Sequence, residues 1–371
     1  MTPRLLIFHP TVAPYRIEFF NSLHRAFDMR ICLNYYNLRS QTFDYDKIAA
    51  QFEFTPLYPP GSGSVPQLMR WYWAQLQAFR PDLVLTHEFG PSSLATLAHR
   101  ALTRRRYKIV SMCDDSYNMV AEHNDFSRRH RMLRRWVAPR VDDLILVEPK
   151  VTQWYQAHYG RGFYFPIIQP DEAIRTTYAR LLPQSRTTAE REGLKGRRIV
   201  LFVGRLVKLK NVSTLIEAFS RLQQDDATLM IIGDGPERPA LERQAAATGA
   251  DIRFTGRLEG DALWLWYNLA DVFVLPSYQE AFGAVTAEAL LAGCRGLISE
   301  KAGSQCLIRP GRNGDVFNPF DADQLARKLR TELADCPPRR DPATLRPSTM
   351  LETYDERMQK LTEHLTRLTQ S

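Results

Sequence analysis

Residues 197–223, RRIVLFVGRLVKLKNVSTLIEAFSRLQ, contain the pattern on which the fold prediction rests. A short apolar run ends at a glycine, a basic loop follows, and apolar residues then recur at helical spacing. Apolar runs bounded by glycine are typical of buried strands, and the i, i+3, i+4 spacing is typical of an amphipathic helix. The stretch therefore predicts a β-strand over 197–206 and an α-helix over 211–223, joined by a short basic loop.

The same alternation of apolar runs and helical patterns continues on both sides of this stretch. Further strands are predicted at RLLIFHP (4–10), MRICLNYY (29–36), PDLVLTHE (81–88), YKIVSMCDD (107–115), DDLILVEP (142–149), ATLMIIGDGP (227–236), DIRFTGRL (251–258) and DVFVLPSY (271–278). Strands that alternate with helices favour a parallel sheet with helices on both faces. The fold class is therefore predicted to be α/β.

The alternation is interrupted at residues 160–172, where two glycines and two prolines favour a linker, and a polar, basic stretch follows as far as Gly196. We therefore predict two doubly wound domains, residues 1–168 and 171–349, and a terminal helix within 350–371. Ligands of such sheets bind beyond the carboxyl ends of the strands, which predicts a site in the cleft between the domains.

Composition narrows the class of protein further. Of 371 residues, 44% are hydrophobic and 24% charged, which is typical of a soluble globular protein. No apolar run approaches the roughly 18–20 residues of a membrane span, and the apolar part of the first residues is too short for a signal peptide. We therefore expect a cytoplasmic protein. The five cysteines lack the spacing of a zinc site or a disulfide framework. The net charge of +8 favours an anionic partner such as a nucleotide, a membrane surface or a nucleic acid.

The basic loop of the opening stretch is a candidate phosphate site. Gly204 ends the strand, and Arg205 and Lys210 precede the next helix, whose amino terminus favours anions. A solvated turn with ordinary surface cations is the alternative. The turn IIGDGP (231–236) includes Gly233 but lacks the full GxGxxG spacing, which disfavours a nicotinamide cofactor. Its glycines indicate a close backbone approach, either to a ligand or within a plain tight turn.

The stretch PSYQEAFGAVTAEALLAG (276–293) holds two acids in a mainly small, apolar setting. Neither Glu280 nor Glu288 has a lysine or arginine three or four residues away, and a buried carboxylate without a partner is costly. Gly283 permits close backbone approach, and a helix that begins near Ala284 leaves unpaired N–H groups that suit a phosphate. The acids are expected either to bind hydroxyl groups of a ligand or to meet arginines from elsewhere.

Together the blocks GRLVKLKN, LMIIGDGP and PSYQEAFGAVTAEALLAG resemble the retaining glycosyltransferases of family 4, which have the GT-B fold and a glycogen synthase-like donor domain. Their order and spacing match the family over roughly residues 198–320. The resemblance implies that Arg205 and Lys210 bind the diphosphate of a nucleotide sugar, that Glu280 contacts the sugar, and that Glu288 contacts the ribose. It assigns catalysis to Arg205, Lys210 and Glu280, and donor binding to Gly204, Gly233, Phe282, Gly283, Ala284 and Glu288.

The resemblance also implies two Rossmann-like domains that face each other across a cleft, the first binding the acceptor and the second the donor. Residues 350–371 would then pack back on the first domain. The sequence departs from the family where Asn211 follows Lys210 in place of glycine, and where the usual histidine of the first domain is replaced by Asp114 or Asp115. His87, at a strand end, is a further candidate for the acceptor side, with a structural hydrogen-bonding role as the alternative.

The resemblance implies transfer of a sugar from a nucleoside diphosphate-sugar donor to a glycan or lipid-linked acceptor, with retention of configuration. A non-catalytic nucleotide-sugar-binding paralogue is the alternative. We expect no metal and no cofactor, since no carboxylate pair lies beside the phosphate-binding blocks, and no nucleic-acid partner, since no binding motif is present. Residues 128–140 alternate arginines with Met132, Leu133, Trp136 and Val137. They predict either a basic helix resting on anionic lipid, with the protein peripheral on the inner membrane face, or an ordinary surface helix.

Overall fold

The computed structural model of the chain describes residues 2–36, 44–60, 64–122, 127–336 and 344–370. Its contacts divide the chain into two compact units. The first unit holds residues 1–169 and 354–371, and the second holds residues 170–353. Each unit contains one six-stranded sheet in which all neighbouring strands are parallel.

The first unit contains the strands β1 (Arg4–His9), β2 (Asp28–Leu33), β3 (Leu83–His87), β4 (Lys108–Cys113), β5 (Asp143–Leu146) and β6 (Phe163–Tyr164). Its helices up to the boundary are α1 (Ile17–Ala26), α2 (Tyr45–Ala49), α3 (Val65–Phe79), α4 (Pro91–Thr103), α5 (Tyr117–Ala121), α6 (Arg128–Val137) and α7 (Pro149–Tyr159). The strands lie in the order β2-β1-β3-β4-β5-β6. The chain therefore reverses its winding direction between β1 and β3.

The second unit contains the strands β7 (Arg198–Val203), β8 (Ala227–Ile232), β9 (Ile252–Gly256), β10 (Val272–Leu275), β11 (Arg295–Ser299) and β12 (Gly314–Phe317). Its helices are α8 (Asp171–Arg191), α9 (Val212–Ser220), α10 (Arg238–Ala246), α11 (Asp261–Leu269), α12 (Val285–Leu291) and α13 (Ala322–Asp335). The strands lie in the order β12-β11-β10-β7-β8-β9, so the winding reverses between β7 and β10. The predicted α/β class with two doubly wound sheets is confirmed.

The central strands are buried on both faces, as expected of parallel strands covered by helices on each side. All six residues of β8 are buried, and so are the last five of β7. The core of the second unit joins these strands to the apolar faces of α9 and α13. The continuous apolar runs that made the strands recognisable in the sequence are therefore the residues that exclude water from the sheet.

Helix α8 was not identified from the sequence, although it is the longest helix of the second unit. It carries a proline at position 183, and its composition is polar and basic, so its helical periodicity is weak. The helix forms because Tyr178 and Leu181 are buried and because it packs along α11. Asn268 of α11 donates a hydrogen bond to the carbonyl oxygen of Tyr178 at 2.9 Å.

The last helix, α14 (Tyr354–Gln370), belongs to the first unit. It packs against α1, where the hydroxyl groups of Tyr354 and Ser22 lie 3.1 Å apart. Farther along the helix, His364 Nε2 lies 2.6 Å from an oxygen of Asp143, the first residue of β5. The second unit is therefore inserted, in chain order, between the last strand and the last helix of the first.

Candidate functional site

The winding reversal of the second sheet brings the two main sequence motifs into contact. β7 and β10 are neighbours, with Val200 opposite Val272, so the loops that leave their carboxyl ends lie side by side. The N–H of Tyr278 donates a hydrogen bond to the carbonyl oxygen of Leu209 at 2.9 Å, which joins the two loops directly. Ligands of open α/β sheets bind at such a reversal point, and the candidate site is therefore centred here.

Lys210 and Glu280 form an ion pair across these loops. The side chains are only 16% and 20% exposed, so Lys210 is not the exposed cation that a solvated turn would present. Glu280 also lies within 3.5 Å of the hydroxyl of Ser277. Glu280 is therefore paired within the protein, and its partner is a lysine 70 residues away in the sequence.

Asn211 explains the departure from the family's lysine–glycine pair. Its backbone has φ 54°, a left-handed conformation that asparagine tolerates better than most residues with a side chain. Its buried amide donates hydrogen bonds to the carbonyl oxygens of Pro276, at 3.0 Å, and Pro319, at 2.8 Å. The residue therefore keeps the backbone turn that glycine would allow, and its side chain adds a link between the loops after β7 and β10.

Arg205 lies on the same loop and is exposed. Within the part of the chain that the structure describes, its guanidinium group makes no ion pair. The neighbouring Leu206 is buried, which fixes the loop beneath it. Arg205 is therefore available to an anion from solution, whereas Lys210 is already paired.

Gly204 and Gly233 meet at the carboxyl ends of β7 and β8. A Cβ atom on Gly233 would lie 1.8 Å from the carbonyl oxygen of Gly204, a distance too short for any residue with a side chain. The close approach expected of the IIGDGP turn is therefore made to the neighbouring strand end of the protein itself. This packing holds the loop after β8 close to the loop that carries Gly204 and Arg205.

The loop after β10 leads into α12 through Phe282, Gly283 and Ala284. Phe282 is buried, and Gly283 has φ 95°, where an added Cβ would lie 2.6 Å from Leu275 Cδ2. The helix begins at Val285, one residue after the predicted start, and its first hydrogen bonds are donated by Thr286 and Ala287 to the carbonyl oxygens of Gly283 and Ala284. The preceding N–H groups lie outside this helical ladder.

Glu288 lies one turn inside α12 and is half-buried. The hydroxyl of Tyr267, in α11, donates a hydrogen bond to the Glu288 carboxylate at 2.8 Å. Burial, followed by the charge of Glu288, raises the pKa of Tyr267 well above its usual value, so the phenol remains a donor. This hydrogen bond fixes the position of the Glu288 carboxylate.

The acceptor-side candidates lie in the first unit, at the reversal between β1 and β3. His87 ends β3, and its ring lies edge-on to that of His9, which ends β1, with centroids 4.6 Å apart. Burial lowers the pKa of both histidines, so both rings are neutral at pH 7. Asp114 follows β4 and accepts a hydrogen bond from Arg16 at 2.8 Å.

Asp115 points into the protein, away from solvent. Its carboxylate is 3.0 Å from His130 Nε2, 3.3 Å from Arg134 and 2.5 Å from the hydroxyl of Tyr155. Although burial opposes ionisation, these hydrogen bonds lower the pKa of Asp115 below its usual value. The ionised Asp115 therefore ties helices α6 and α7 to the end of β4.

The same contacts determine which side chains of the basic segment 128–140 are buried and which are exposed. Arg134 is buried against Asp115 instead of reaching solvent, and Val137 is in the core. Met132 and Trp136, in contrast, are 69% and 45% exposed. Helix α6 therefore presents two large apolar side chains to solvent among exposed arginines, with a buried arginine on its other face.

Among the described residues, no group of three or more histidine, cysteine, aspartate or glutamate side chains is arranged to hold a metal ion. Within the same ranges, none of the helices has both the length and the apolar character needed to cross a bilayer.

Several of these residues were not identified from the sequence. Tyr267 lies in a run that reads as an ordinary apolar helix, so nothing in the pattern sets it apart. Arg16 lies among alternating polar and apolar residues and gives no signal either. His9 could have been found, because it is a polar residue at the end of a strand, as His87 is.

Each of the two units matches a known family model. Residues 185–344 match the family model described as Glycosyl transferases group 1. Residues 13–163 match the model described as Glycosyltransferase Family 4. The first match covers the loops around Lys210 and Glu280, and the second covers His87, Asp114 and Asp115.

Individual relatives agree with these families. The chain is 36% identical over 140 residues to sulfoquinovosyl transferase SQD2 of Arabidopsis thaliana, covering 37% of this chain and 27% of the relative. It is 27% identical over 271 residues to glycogen synthase of Mycobacterium tuberculosis, covering 70% of this chain and 62% of the relative. The chain thus spans less than two thirds of the length of these relatives.

Solved structures resemble the chain over nearly its full length. Sucrose-phosphate synthase from Thermosynechococcus elongatus is 18% identical, with a TM-score of 0.68 over 98% of this chain and 96% of that chain. The Anabaena protein HepE, in complex with UDP and glucose, is 16% identical, with a TM-score of 0.68 over 99% of this chain and 97% of that chain. At these identities the likeness concerns the fold.

The contact between Gly204 and Gly233 predicts the effect of adding one methyl group. Gly233→Ala should destabilise the protein by about 2–5 kcal/mol, because the backbone must move apart and alanine resists the glycine's φ of 146°. Gly249→Ala is the matched control, since that glycine also has a positive φ but no atom within 4 Å of the added Cβ. It should cost only about 1–2 kcal/mol. Urea unfolding followed by circular dichroism measures both, and equal midpoints would contradict the packing role of Gly233.

Proposed function

Since the chain belongs to the GT4-type glycosyltransferases with the GT-B fold, we propose that it transfers a sugar from a nucleoside diphosphate-sugar donor to a glycan or lipid-linked acceptor. The transfer proceeds with retention of configuration. The observation that carries the proposal is the meeting of Arg205, Lys210, Glu280 and the start of α12 at the reversal point of the second sheet. Cations, N–H groups and a carboxylate at one place suit a ligand that combines a diphosphate with hydroxyl groups.

Binding of the donor would replace the ion pair between Lys210 and Glu280 by contacts of each residue with the donor. Without it, Lys210 and Glu280 neutralise each other. The diphosphate offers Lys210 a stronger anionic partner, and the sugar hydroxyls offer Glu280 donors in place of the ammonium group. Arg205 contributes a second cation, and the N–H groups ahead of α12 add further donors.

Catalysis would come mainly from electrostatic stabilisation of the leaving diphosphate. Negative charge develops on the diphosphate as its bond to the sugar breaks, and donors that are already in place stabilise this charge without reorganisation. The first unit, with His87 and Asp114 at the ends of its strands, would receive the acceptor. The Anabaena relative HepE has been solved with UDP and glucose, which supports a nucleotide sugar as donor.

A direct test begins with the donor. Melting temperatures of the purified protein are measured with a panel of nucleotide sugars, because a ligand of the native state raises the melting temperature. The donor with the largest shift is then assayed for hydrolysis and for transfer to glycans. A donor that binds but is neither hydrolysed nor transferred would indicate a non-catalytic binding protein.

The phosphate-binding cations should matter for turnover. Arg205→Ala and Lys210→Ala should each lose about 2–4 kcal/mol of transition-state stabilisation, as expected for loss of one preorganised donor. Lys208→Ala is the matched control, because this lysine lies in the same turn, is exposed and forms no part of the pair. The measurement is kcat/KM for the donor. Turnover near that of the control in either variant would remove that residue from the site.

The two glutamates should differ in what they bind. Glu288→Gln should weaken the free nucleoside diphosphate and the full donor alike, because it weakens acceptance of the ribose hydroxyls. Glu280→Gln should spare the nucleoside diphosphate, since it also releases Lys210 toward the phosphates, but should impair the full donor. Calorimetric titration of each variant with both ligands distinguishes these effects. Unchanged diphosphate affinity in Glu288→Gln, or its loss in Glu280→Gln, would show the placement to be wrong.

The reaction should need no metal ion. Lys210, Arg205 and the N–H groups ahead of α12 supply positive charge that a divalent cation supplies at other diphosphate sites. Transfer assays are run with EDTA and then with added Mg²⁺ or Mn²⁺. Activity should persist in EDTA, whereas loss on chelation with recovery on adding metal would refute the proposal.

Helix α6 should hold the protein on anionic membranes. Exposed Met132 and Trp136 would enter the interface, and exposed arginines such as Arg128 and Arg135 would meet anionic headgroups, each contributing about 1 kcal/mol. The double variant Arg128→Glu/Arg135→Glu should release the protein from phosphatidylserine vesicles in a co-sedimentation assay. Lys360→Glu/Arg367→Glu, on exposed positions of α14, changes the net charge equally and should not.

Arg134 is unsuitable for this test because it is buried against Asp115, so its reversal would disturb the fold. High salt should also release the native protein, because exposed charges are screened. Equal binding to neutral vesicles, or none to either kind, would leave α6 as an ordinary surface helix.

A further inference from the structure

Two buried tyrosines contact Glu288, one at its side chain and the other at its main chain. The hydroxyl of Tyr267 donates a hydrogen bond to Oε2 of the Glu288 carboxylate at 2.8 Å. The hydroxyl of Tyr178, in α8, donates one to the carbonyl oxygen of Glu288, also at 2.8 Å. Both tyrosine side chains are 0% exposed, whereas Glu288 is half-buried. A ligand from solution can therefore reach Glu288 but neither phenol.

The ring of Tyr267 is held in place by its surroundings. It lies edge-on to the ring of Tyr178 and tilted against that of Phe273, with both centroid separations at 6.4 Å. The main-chain carbonyl oxygen of Tyr267 accepts a hydrogen bond from Cys294 Sγ at 3.5 Å. The helix that carries Tyr267, α11, packs along α8. The hydroxyl group therefore has a fixed position before any ligand arrives.

The partner of Glu288 differs in kind from that of Glu280. Lys210 is a cation, and its ion pair with Glu280 would have to be exchanged for contacts with a donor. Tyr267 is a neutral donor, because burial and then the charge of Glu288 raise its pKa well above the usual value. Its hydrogen bond comes from inside the protein, on the side that a ligand cannot reach. The bond can therefore persist while a ligand binds to Glu288.

A persistent hydrogen bond to the carboxylate reduces the cost of binding. A glutamate side chain has several rotamers, and a ligand that contacts a freely rotating carboxylate must restrict it. Groups that are already fixed in the bound conformation avoid this cost, and hydrogen bonds to an ionised acceptor are the stronger ones. Tyr178 cannot act in this way, because its bond ends at the main chain. The carbonyl oxygen there also accepts from the N–H of Ala292 at 3.1 Å.

We propose that Tyr267 is a positioning residue that holds the Glu288 carboxylate where it receives ribose hydroxyls, so that the protein prefers ribonucleotides to nucleotides lacking these hydroxyls. That Glu288 meets the ribose rests on the proposed function. That Tyr267 orders the carboxylate rests on the contacts within the second unit.

The test compares two ligands that differ only in the ribose hydroxyls. Calorimetric titrations of the full chain are made with UDP and with 2′,3′-dideoxy-UDP, since the Anabaena relative HepE was solved with UDP. GDP, ADP and their dideoxy analogues are measured in parallel. The quantity of interest is the ratio of the two affinities for one base. Both ligands carry the same base and diphosphate, so general damage to the fold or to the phosphate site lowers both affinities and leaves the ratio unchanged.

Tyr267→Phe removes one oxygen atom and should lower this ratio about fivefold, because the ligand must then restrict the carboxylate itself. The affinity for the dideoxy analogue should not change. Tyr178→Phe is the matched control: it removes the same atom from a second buried tyrosine that is bound to the same residue at the same distance. It should leave the ratio unchanged, whatever its effect on the melting temperature.

A double-mutant cycle shows whether Tyr267 acts through Glu288. Glu288→Ala removes the carboxylate and should lower the ratio at least as much as Tyr267→Phe does. Adding Tyr267→Phe to Glu288→Ala should then have no further effect on the ratio, because the phenol has no carboxylate left to position. A further drop in the double variant would contradict the positioning role.

The outcomes separate this inference from the proposed function. If Glu288→Ala lowers the ratio but Tyr267→Phe does not, or if Tyr178→Phe lowers it equally, the positioning role of Tyr267 is overturned and the ribose contact of Glu288 stands. If Glu288→Ala keeps the full ratio, or if none of the nucleotides binds, the proposed placement of the ribose is wrong and this inference fails with it.

Discussion

The neighbouring positions of β7 and β10 are the constraint on which the candidate site depends. Strand order places these two strands side by side, although 68 residues lie between the end of β7 and the start of β10. The loops that leave them are then joined by the Lys210–Glu280 ion pair and by the Asn211 amide, which binds carbonyl oxygens of both the β10 loop and the segment after β12. Without that strand order, the basic loop and the acidic loop would be two unrelated surface turns.

The carboxyl ends of the two sheets differ in chemistry. In the second unit, Arg205, Lys210 and the start of α12 provide positive charge, with two carboxylates held by a lysine and a tyrosine. In the first unit, Arg16 is paired with Asp114 and Arg134 with Asp115. The second unit therefore leaves Arg205 exposed at its strand ends, whereas these two arginines of the first unit are neutralised within the protein.

Helix α6 shows how one buried carboxylate can set the character of a surface. Asp115 draws Arg134 inward and binds His130 of the same helix. These contacts fix the orientation of the helix and therefore which of its side chains face outward. Met132 and Trp136 are among the exposed side chains. The exposed apolar side chains are thus a consequence of the internal ion pair as well as of the sequence pattern.

Local sequence signals were enough to predict the α/β class, the two doubly wound sheets and the loops that carry Gly204, Arg205, Lys210, Glu280 and Glu288. These signals are strand and helix periodicity, glycine turns and short motifs. Helix α8 escaped detection because Pro183 and its polar composition weaken that local signal, while the packing that stabilises it comes from α11.

Which side chains come into contact depends on the tertiary structure. That Glu280 pairs with Lys210, that Glu288 is held by Tyr267, and that Gly233 approaches Gly204 all depend on strand order, which periodicity does not encode. The same holds for Asp114 and Asp115: adjacent in sequence, they point to different surroundings, one toward Arg16 and solvent and the other into the core. Alternation of side chains at a strand end separates neighbours in the chain, and the packing of the helices then gives each its partner.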